Sequence, residues 1–149
     1  MVLASAIEPL RAARDLSGRQ LFSWQFCFLN DGAIASSSRA VIGADLPLSR
    51  VGATDALVLV AGYGVRNHLD HDSAAAVRRK ARGLPVVGGL DTGAWRLARV
   101  GLLGGRKATI HCMEKKEFAE NFPEVHGTDG LYVVAGNIVT CRDAQSVLS

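Results

Sequence analysis

Apolar residues follow three different spacings along the chain. From Val2 to Arg14, Leu3, Ile7, Leu10 and Ala13 recur at helical spacing, and the turn around Ser17 and Gly18 closes that helix. Pro9 lies inside it and removes a backbone hydrogen bond, which predicts a kink or a late start. From Leu21 to Leu29 the period shortens to two. Phe22, Trp24, Phe26 and Phe28 then share one face of a predicted half-buried strand, and Asn30-Asp31-Gly32 supplies the turn after it. Ala40-Val41-Ile42 predicts a short extended piece. Between Asp55 and Ala61 the run Ala56-Leu57-Val58-Leu59-Val60 shows no alternation, the pattern of a parallel strand covered on both faces. Gly62-Tyr63-Gly64 ends it in a loop.

A helix follows from Ala74 to Arg82, with Asp72 or Ser73 as its cap and Gly83 and Pro85 as its stop. Pro85 to Val87 then starts a short strand, Gly88 and Gly89 follow, and Ala94, Leu97 and Ala98 take up helical spacing. This is a strand that turns sharply into a helix. Such an elbow holds one side chain, here Asp91, in a tight turn between glycines, and aims the first N–H groups of the helix beside it. The helix is predicted over Thr92 to Leu103, ending at Gly104-Gly105. Lys107 to His111 reads as a strand and Glu114 to Asn121 as a helix ended by Pro123. Leu131 to Val134 and Asn137 to Cys141 read as strands around Ala135-Gly136, and Asp143 to Leu148 as a short helix. Strands alternating with helices predict an α/β domain with a mostly parallel sheet and a site at the carboxyl ends of its strands. The loops from Ala61 to Val65 and from Leu90 to Gly93 would meet there.

Composition adds bounds rather than chemistry. A chain of 149 residues with 48% hydrophobic and 21% charged residues is one ordinary globular domain. The formal net charge is +3, and the basic run Arg78-Arg79-Lys80-Ala81-Arg82 reads as the solvated face of a helix rather than a nucleic-acid patch. Cys27, Cys112 and Cys141 are odd in number and far apart, which fits free thiols in a reducing compartment. No run of about 20 apolar residues spans a bilayer, so a cytoplasmic protein is expected. The cluster Asn67-His68-Leu69-Asp70-His71-Asp72 has metal-like letters but no third ligand set at a defined spacing. It reads as a polar loop leading into a capped helix, and neither a metal nor a cofactor is expected.

The run Gly89-Leu90-Asp91-Thr92-Gly93-Ala94-Trp95, with Leu97-Ala98, Gly101-Leu102-Leu103, Gly105-Arg106, Ala108-Thr109-Ile110-His111 and Phe122-Pro123, resembles the PfpI/class I glutamine-amidotransferase-like superfamily. Within it the chain is most similar to the N-terminal ligand-sensing domain of AraC-family transcriptional regulators. Glu8-Pro9-Leu10-Arg11-Ala12-Ala13 and Val60-Ala61-Gly62-Tyr63-Gly64 extend the likeness over nearly the whole chain. The resemblance implies a flavodoxin-like three-layer α/β sandwich, often dimeric. It also implies an apolar strand before the first helix and a DNA-binding helix-turn-helix region after the sensor. On that comparison residues 1–149 read as a sensor domain truncated at both ends, its DNA contact made through a missing C-terminal domain.

Catalytic members of that superfamily place Cys at the elbow, where this chain has Asp91, and some branches a His next, where it has Thr92. Val2 or Leu3 falls about where a Glu stands in the hydrolase and chaperone branch, and Glu8 comes about two turns too late. His111 matches a His across the pocket, but without a thiolate it has nothing to activate. The expectation is a non-catalytic sensor whose small-molecule effector contacts Asp91, Thr92, Gly93, Gly62, Tyr63, Gly64, Trp95 and His111. Asp91 beside an aromatic face, from Trp95 or Tyr63, would suit a cationic nitrogen compound such as an amino acid, betaine or carnitine. For Trp95 the competing reading is core packing, and for Asp91 it is capping of the next helix. The alternative function is an amidase or glyoxalase-like hydrolase, whose nucleophile would have to be Cys27, Cys112 or Cys141.

Overall fold

The computed structural model describes residues 2–29, 34–36, 38–62 and 71–143. In chain order the elements are α1 (Val2–Ser17), β1 (Cys27–Phe28), β2 (Ile34–Ala35), β3 (Val41–Ile42), β4 (Leu46–Pro47), β5 (Ala56–Ala61), α2 (His71–Ala81), β6 (Val86–Asp91), α3 (Gly93–Arg99), β7 (Lys107–Ala108), α4 (Lys115–Asn121), β8 (His126–Gly127), β9 (Tyr132–Ala135) and β10 (Ile138–Cys141). The central sheet has the order β5-β6-β10-β9. β5, β6 and β10 run parallel, and β9 returns antiparallel to β10 through the turn at Gly136, whose φ is +68°. This is the mostly parallel α/β architecture that the strand–helix alternation predicts.

Register explains which residues form the core. Leu59 lies opposite Gly89, and Gly89 opposite Thr140, so Leu57, Leu59, Val87, Ile138 and Thr140 share the face on which α3 packs. Leu97, Val100 and Leu103 fill the space above that face and are essentially inaccessible to solvent. β5 departs from expectation on its other face. Val58 is 46% exposed, so the strand is not covered on both sides. β5 borders the sheet among the described strands, and α3 packs on the face of Leu59 rather than that of Val58.

Several boundaries also move. α1 starts at Val2 and runs through Pro9, so no late start occurs, and it buries none of its residues. Its polar side carries Arg11 between Glu8 and Asp15, at 2.7 Å from each carboxylate. The strand expected from Leu21 to Leu29 shrinks to β1, paired in parallel with β4. Phe22 is exposed, and Trp24 receives the Arg14 guanidinium 5.1 Å from its ring centre, so part of that aromatic face packs on α1 instead of a sheet. Val41 and Ile42 form the expected short piece, paired antiparallel with β2.

α2 begins at His71, which places Asp72 and Ser73 inside its first turn rather than at its cap. α3 ends at Arg99, short of the expected Leu103. Gly101 takes φ +78° and its N–H reaches Ala98 O at 2.8 Å, while Leu102 N–H reaches Leu97 O at 2.9 Å. That pair of bonds is a Schellman stop set by the glycine. β7 covers only Lys107–Ala108 because Thr109 N–H turns to the hydroxyl of Thr140 at 3.0 Å. It pairs with β8, which the apolar pattern does not reveal. The turn at Asn30-Asp31-Gly32 and residues 144–148 of the expected last helix lie outside the described residues.

Candidate functional site

The elbow between β6 and α3 is built by close approach. A Cβ on Gly93 would lie 2.2 Å from Leu59 O, and one on Gly89 would lie 2.8 Å from Leu97 Cδ1 and 2.9 Å from Ala94 N. Only glycine lets α3 start this near β5 and β6. The unusual backbone falls on Asp91 itself, at φ +60°. For a residue with a Cβ such a conformation costs on the order of 1–3 kcal/mol, least for Asp and Asn. Strain of this kind persists where the surroundings fix it. Thr92 does so here, because its N–H reaches Ala61 O at 3.3 Å and its buried hydroxyl donates to Gly62 O at 2.8 Å.

Asp91 is half-buried, and its carboxyl is raised above the ordinary carboxylate range, chiefly because burial penalises its charge. His111 opposes that shift, Asp143 and Glu114 add to it, and the Thr92 N–H opposes it. Four side chains, from β6, the segment 111–114 and the bend after β10, therefore share one electrostatic environment. Asp91 does not cap α3. The capping position is Thr92, which makes no side-chain capping bond. His111 is tied in twice, its N–H to Asp91 O at 3.4 Å and its Nδ1 accepting from Met113 N at 3.3 Å.

The expected site residues thus divide. Asp91, Thr92, Gly93, Gly62 and His111 lie together at the carboxyl ends of β5 and β6, where the α/β rule puts a site. Tyr63 and Gly64 lie outside the described residues, as do residues 67–70 of the His-Asp cluster. Trp95 belongs to the core. It is 3% exposed, packed edge-on against Phe122 at 5.3 Å and tilted against Phe118 at 5.9 Å, so its ring is taken up by the core, the competing reading of this residue. Sequence reasoning passed over Asp143 and Glu114. Asp143 could have been found from the pairing of Cys141 with Leu90, which carries β10 to the same end of the sheet as the elbow.

The three thiols differ in their surroundings. Cys141 is buried, and burial followed by Asp143 raises its thiol; burial likewise raises Cys27. Cys112 is exposed. Among the described residues no group of three or more His, Cys, Asp or Glu could hold a metal ion, and no helix is long and apolar enough to cross a membrane.

Residues 6–149 match the DJ-1/PfpI family. The chain belongs to the DJ-1/PfpI family. Curated relatives that it matches are named as HTH-type transcriptional regulators. It is 32% identical over 138 residues to the HTH-type transcriptional regulator GbdR of Pseudomonas aeruginosa, covering 93% of this chain and 38% of GbdR. It is 35% identical over 143 residues to the HTH-type transcriptional regulator GlxA of Rhizobium meliloti, covering 95% of this chain and 44% of GlxA. The chain thus spans less than half the length of these regulators. Among solved structures, an AraC family transcriptional regulator from Pseudomonas putida superposes with a TM-score of 0.81 at 21% identity, over 99% of this chain and 79% of that one. A DJ-1 superfamily protein from Salmonella typhimurium gives 0.73 at 26% identity, over 97% and 77%. The layered, flavodoxin-like fold of the DJ-1/PfpI family is the fold of this chain.

Proposed function

We propose that this chain is a non-catalytic ligand-sensing domain of an AraC-type transcriptional regulator, and that its effector is a small cationic nitrogen compound held at the elbow. The observation that carries the reading is Asp91, a half-buried carboxylate held at φ +60° at the elbow, where the resemblance puts the Cys of catalytic members. A carboxylate there has no thiol to offer an acyl group. It offers instead an anionic acceptor whose affinity for positive charge is sharpened by burial, with Asp143 and Glu114 adding negative potential. Gly62 and the first N–H groups of α3 border the same position. Burial raises the thiols of Cys141 and Cys27, which counts against either of those two as a displaced nucleophile.

In this reading the regulator is cytoplasmic and dimeric, and DNA is held by a helix-turn-helix domain, as the names of the relatives indicate for them. Effector binding would shift the equilibrium between two arrangements of the dimer by its difference in affinity for them. The test is a thermal-shift screen of the chain against amino acids, betaines, carnitine and polyamines, repeated with Asp91→Asn. A ligand present at 100 times its Kd adds about 2.7 kcal/mol of stability, and the reading expects a rise from a cationic compound that Asp91→Asn abolishes. A rise of equal size in both proteins removes Asp91 from the site.

A further inference from the structure

The seam between α2 and α3 gathers arginines. Arg78 reaches across from α2 and donates from Nε to Val100 O, the capping residue of α3, at 3.0 Å. Arg82 follows Arg78 by four residues and lies on the same side of α2, at its end. Arg96 lies one turn before Val100 on α3, and Arg99 lies beside it at a spacing of three. Arg78, Arg82 and Arg99 are exposed, and Arg96 is half-buried. None of the four forms an ion pair with a carboxylate among the described residues, whereas Arg11 has two and Arg14 and Arg142 have one each.

The helix dipole accounts for basic residues in a last turn. It does not account for Arg96, whose Nε is buried with no acceptor. Burial alone lowers the proton affinity of that guanidinium, with no nearby carboxylate acting on it. Like charges at spacings of three and four repel as well. The buried Nε is closed to an incoming group, so a contact there is left to the outer Nη groups of Arg96 and to the exposed guanidiniums of Arg78, Arg82 and Arg99; guanidiniums of this kind suit phosphate oxygens, which accept their paired donors bidentately.

Sequence alone assigns the run from Arg78 to Arg82 to a solvated helix face; with Arg96 and Arg99 brought beside it by the Arg78–Val100 bond, we propose instead that the α2–α3 seam, through Arg78, Arg82, Arg96 and Arg99, binds the phosphate backbone of duplex DNA without reading its sequence. The choice of DNA rests on the regulatory reading, while the basic seam itself does not.

The test is fluorescence anisotropy of a labelled 20-base-pair duplex of arbitrary sequence with the whole chain, titrated at several KCl concentrations. With about three phosphates neutralised the salt slope is about −2.7, which weakens binding about 40-fold between 50 and 200 mM. Arg82→Gln with Arg99→Gln should bring that factor to roughly fourfold. Lys107→Gln with Lys116→Gln removes the same charge from two exposed positions off the seam and should leave the slope unchanged. Circular dichroism of each variant verifies folding. Absence of duplex binding at 50 mM, or an equal loss in the lysine pair, overturns the proposal. Preference for polyglutamate over the duplex also overturns it and assigns the seam to an acidic protein. Effector binding at Asp91 is measured without DNA, so the two readings fail separately.

Discussion

Gly93→Ala tests whether the elbow is set by backbone contact. The added Cβ would lie 2.2 Å from Leu59 O and 3.2 Å from Leu59 C, where a carbon–oxygen contact normally needs about 3.3 Å or more. The helix start must therefore retreat by about 1 Å. It is not free to do so alone, since Leu59 is fixed in register with Gly89 and Thr92 is bonded to Ala61 O and Gly62 O. Overpacking costs typically 1–3 kcal/mol, and backbone meeting backbone puts this case at the top of that range. Alanine's better helix propensity offsets at most about 1 kcal/mol. A net loss of about 2–3 kcal/mol lowers Tm by roughly 5–10 °C in a domain of this size. The assay is thermal unfolding followed by far-ultraviolet circular dichroism, with Gly104→Ala as the comparison. There the nearest neighbour of a new Cβ is Glu124 Cγ at 3.9 Å, and the change should stay within about 0.5 kcal/mol. A folded Gly93→Ala protein melting within 2 °C of its parent would refute the close-contact account, where "2 °C" is about the shift expected from 1 kcal/mol or less.

Three further outcomes follow from particular contacts. Thr140→Val removes the acceptor of the buried Thr109 N–H at 3.0 Å; a loss of about 1–3 kcal/mol is expected, read as a lower urea midpoint at unchanged slope. Phe118→Ala opens the cluster of Trp95, Phe118 and Phe122 and should cost about 3–5 kcal/mol, with the near-ultraviolet signal of Trp95 weakened. Burial raises the Asp91 pKa in the folded state, so the protonated acid is the better-tolerated form. Its contribution is therefore most favourable below the unfolded value of 3.8 and is lost as pH rises through the raised folded value. Asp91→Asn should then gain on the parent in Tm between pH 3 and pH 7, and a difference that stays flat across that range contradicts the assignment.

What the sequence made legible were features written in local letters. The run of β5, the glycines of the elbow and the Gly136 turn appear in order because each needs only neighbouring residues. The alternation of Phe22, Trp24, Phe26 and Phe28 announced an apolar face but not a sheet to receive it, and only Cys27 and Phe28 are paired as strand. The end of α3 was misplaced because Gly101, four residues ahead of Gly105, already satisfies the terminal carbonyls. At the site, Asp91 and Thr92 were evident from their place after Gly88 and Gly89. Asp143 and Glu114 depend on the register of β10 and on the turn after His111, which spacing alone does not fix. Trp95 was ambiguous for a related reason. Its position one turn into α3 is compatible with either face until α4 is placed, and Phe118 and Phe122 then claim its ring.

The central claim is that the elbow holds the effector, and amide NMR of the labelled chain tests it most directly. The compound from the thermal-shift panel that stabilises most would be titrated while every backbone N–H is followed. The account predicts concentration-dependent shifts centred on Thr92, Gly93, Ala94 and His111, and their loss in Asp91→Asn. Shifts centred instead on β9 or on α1, with Thr92 and Gly93 unmoved, would contradict it.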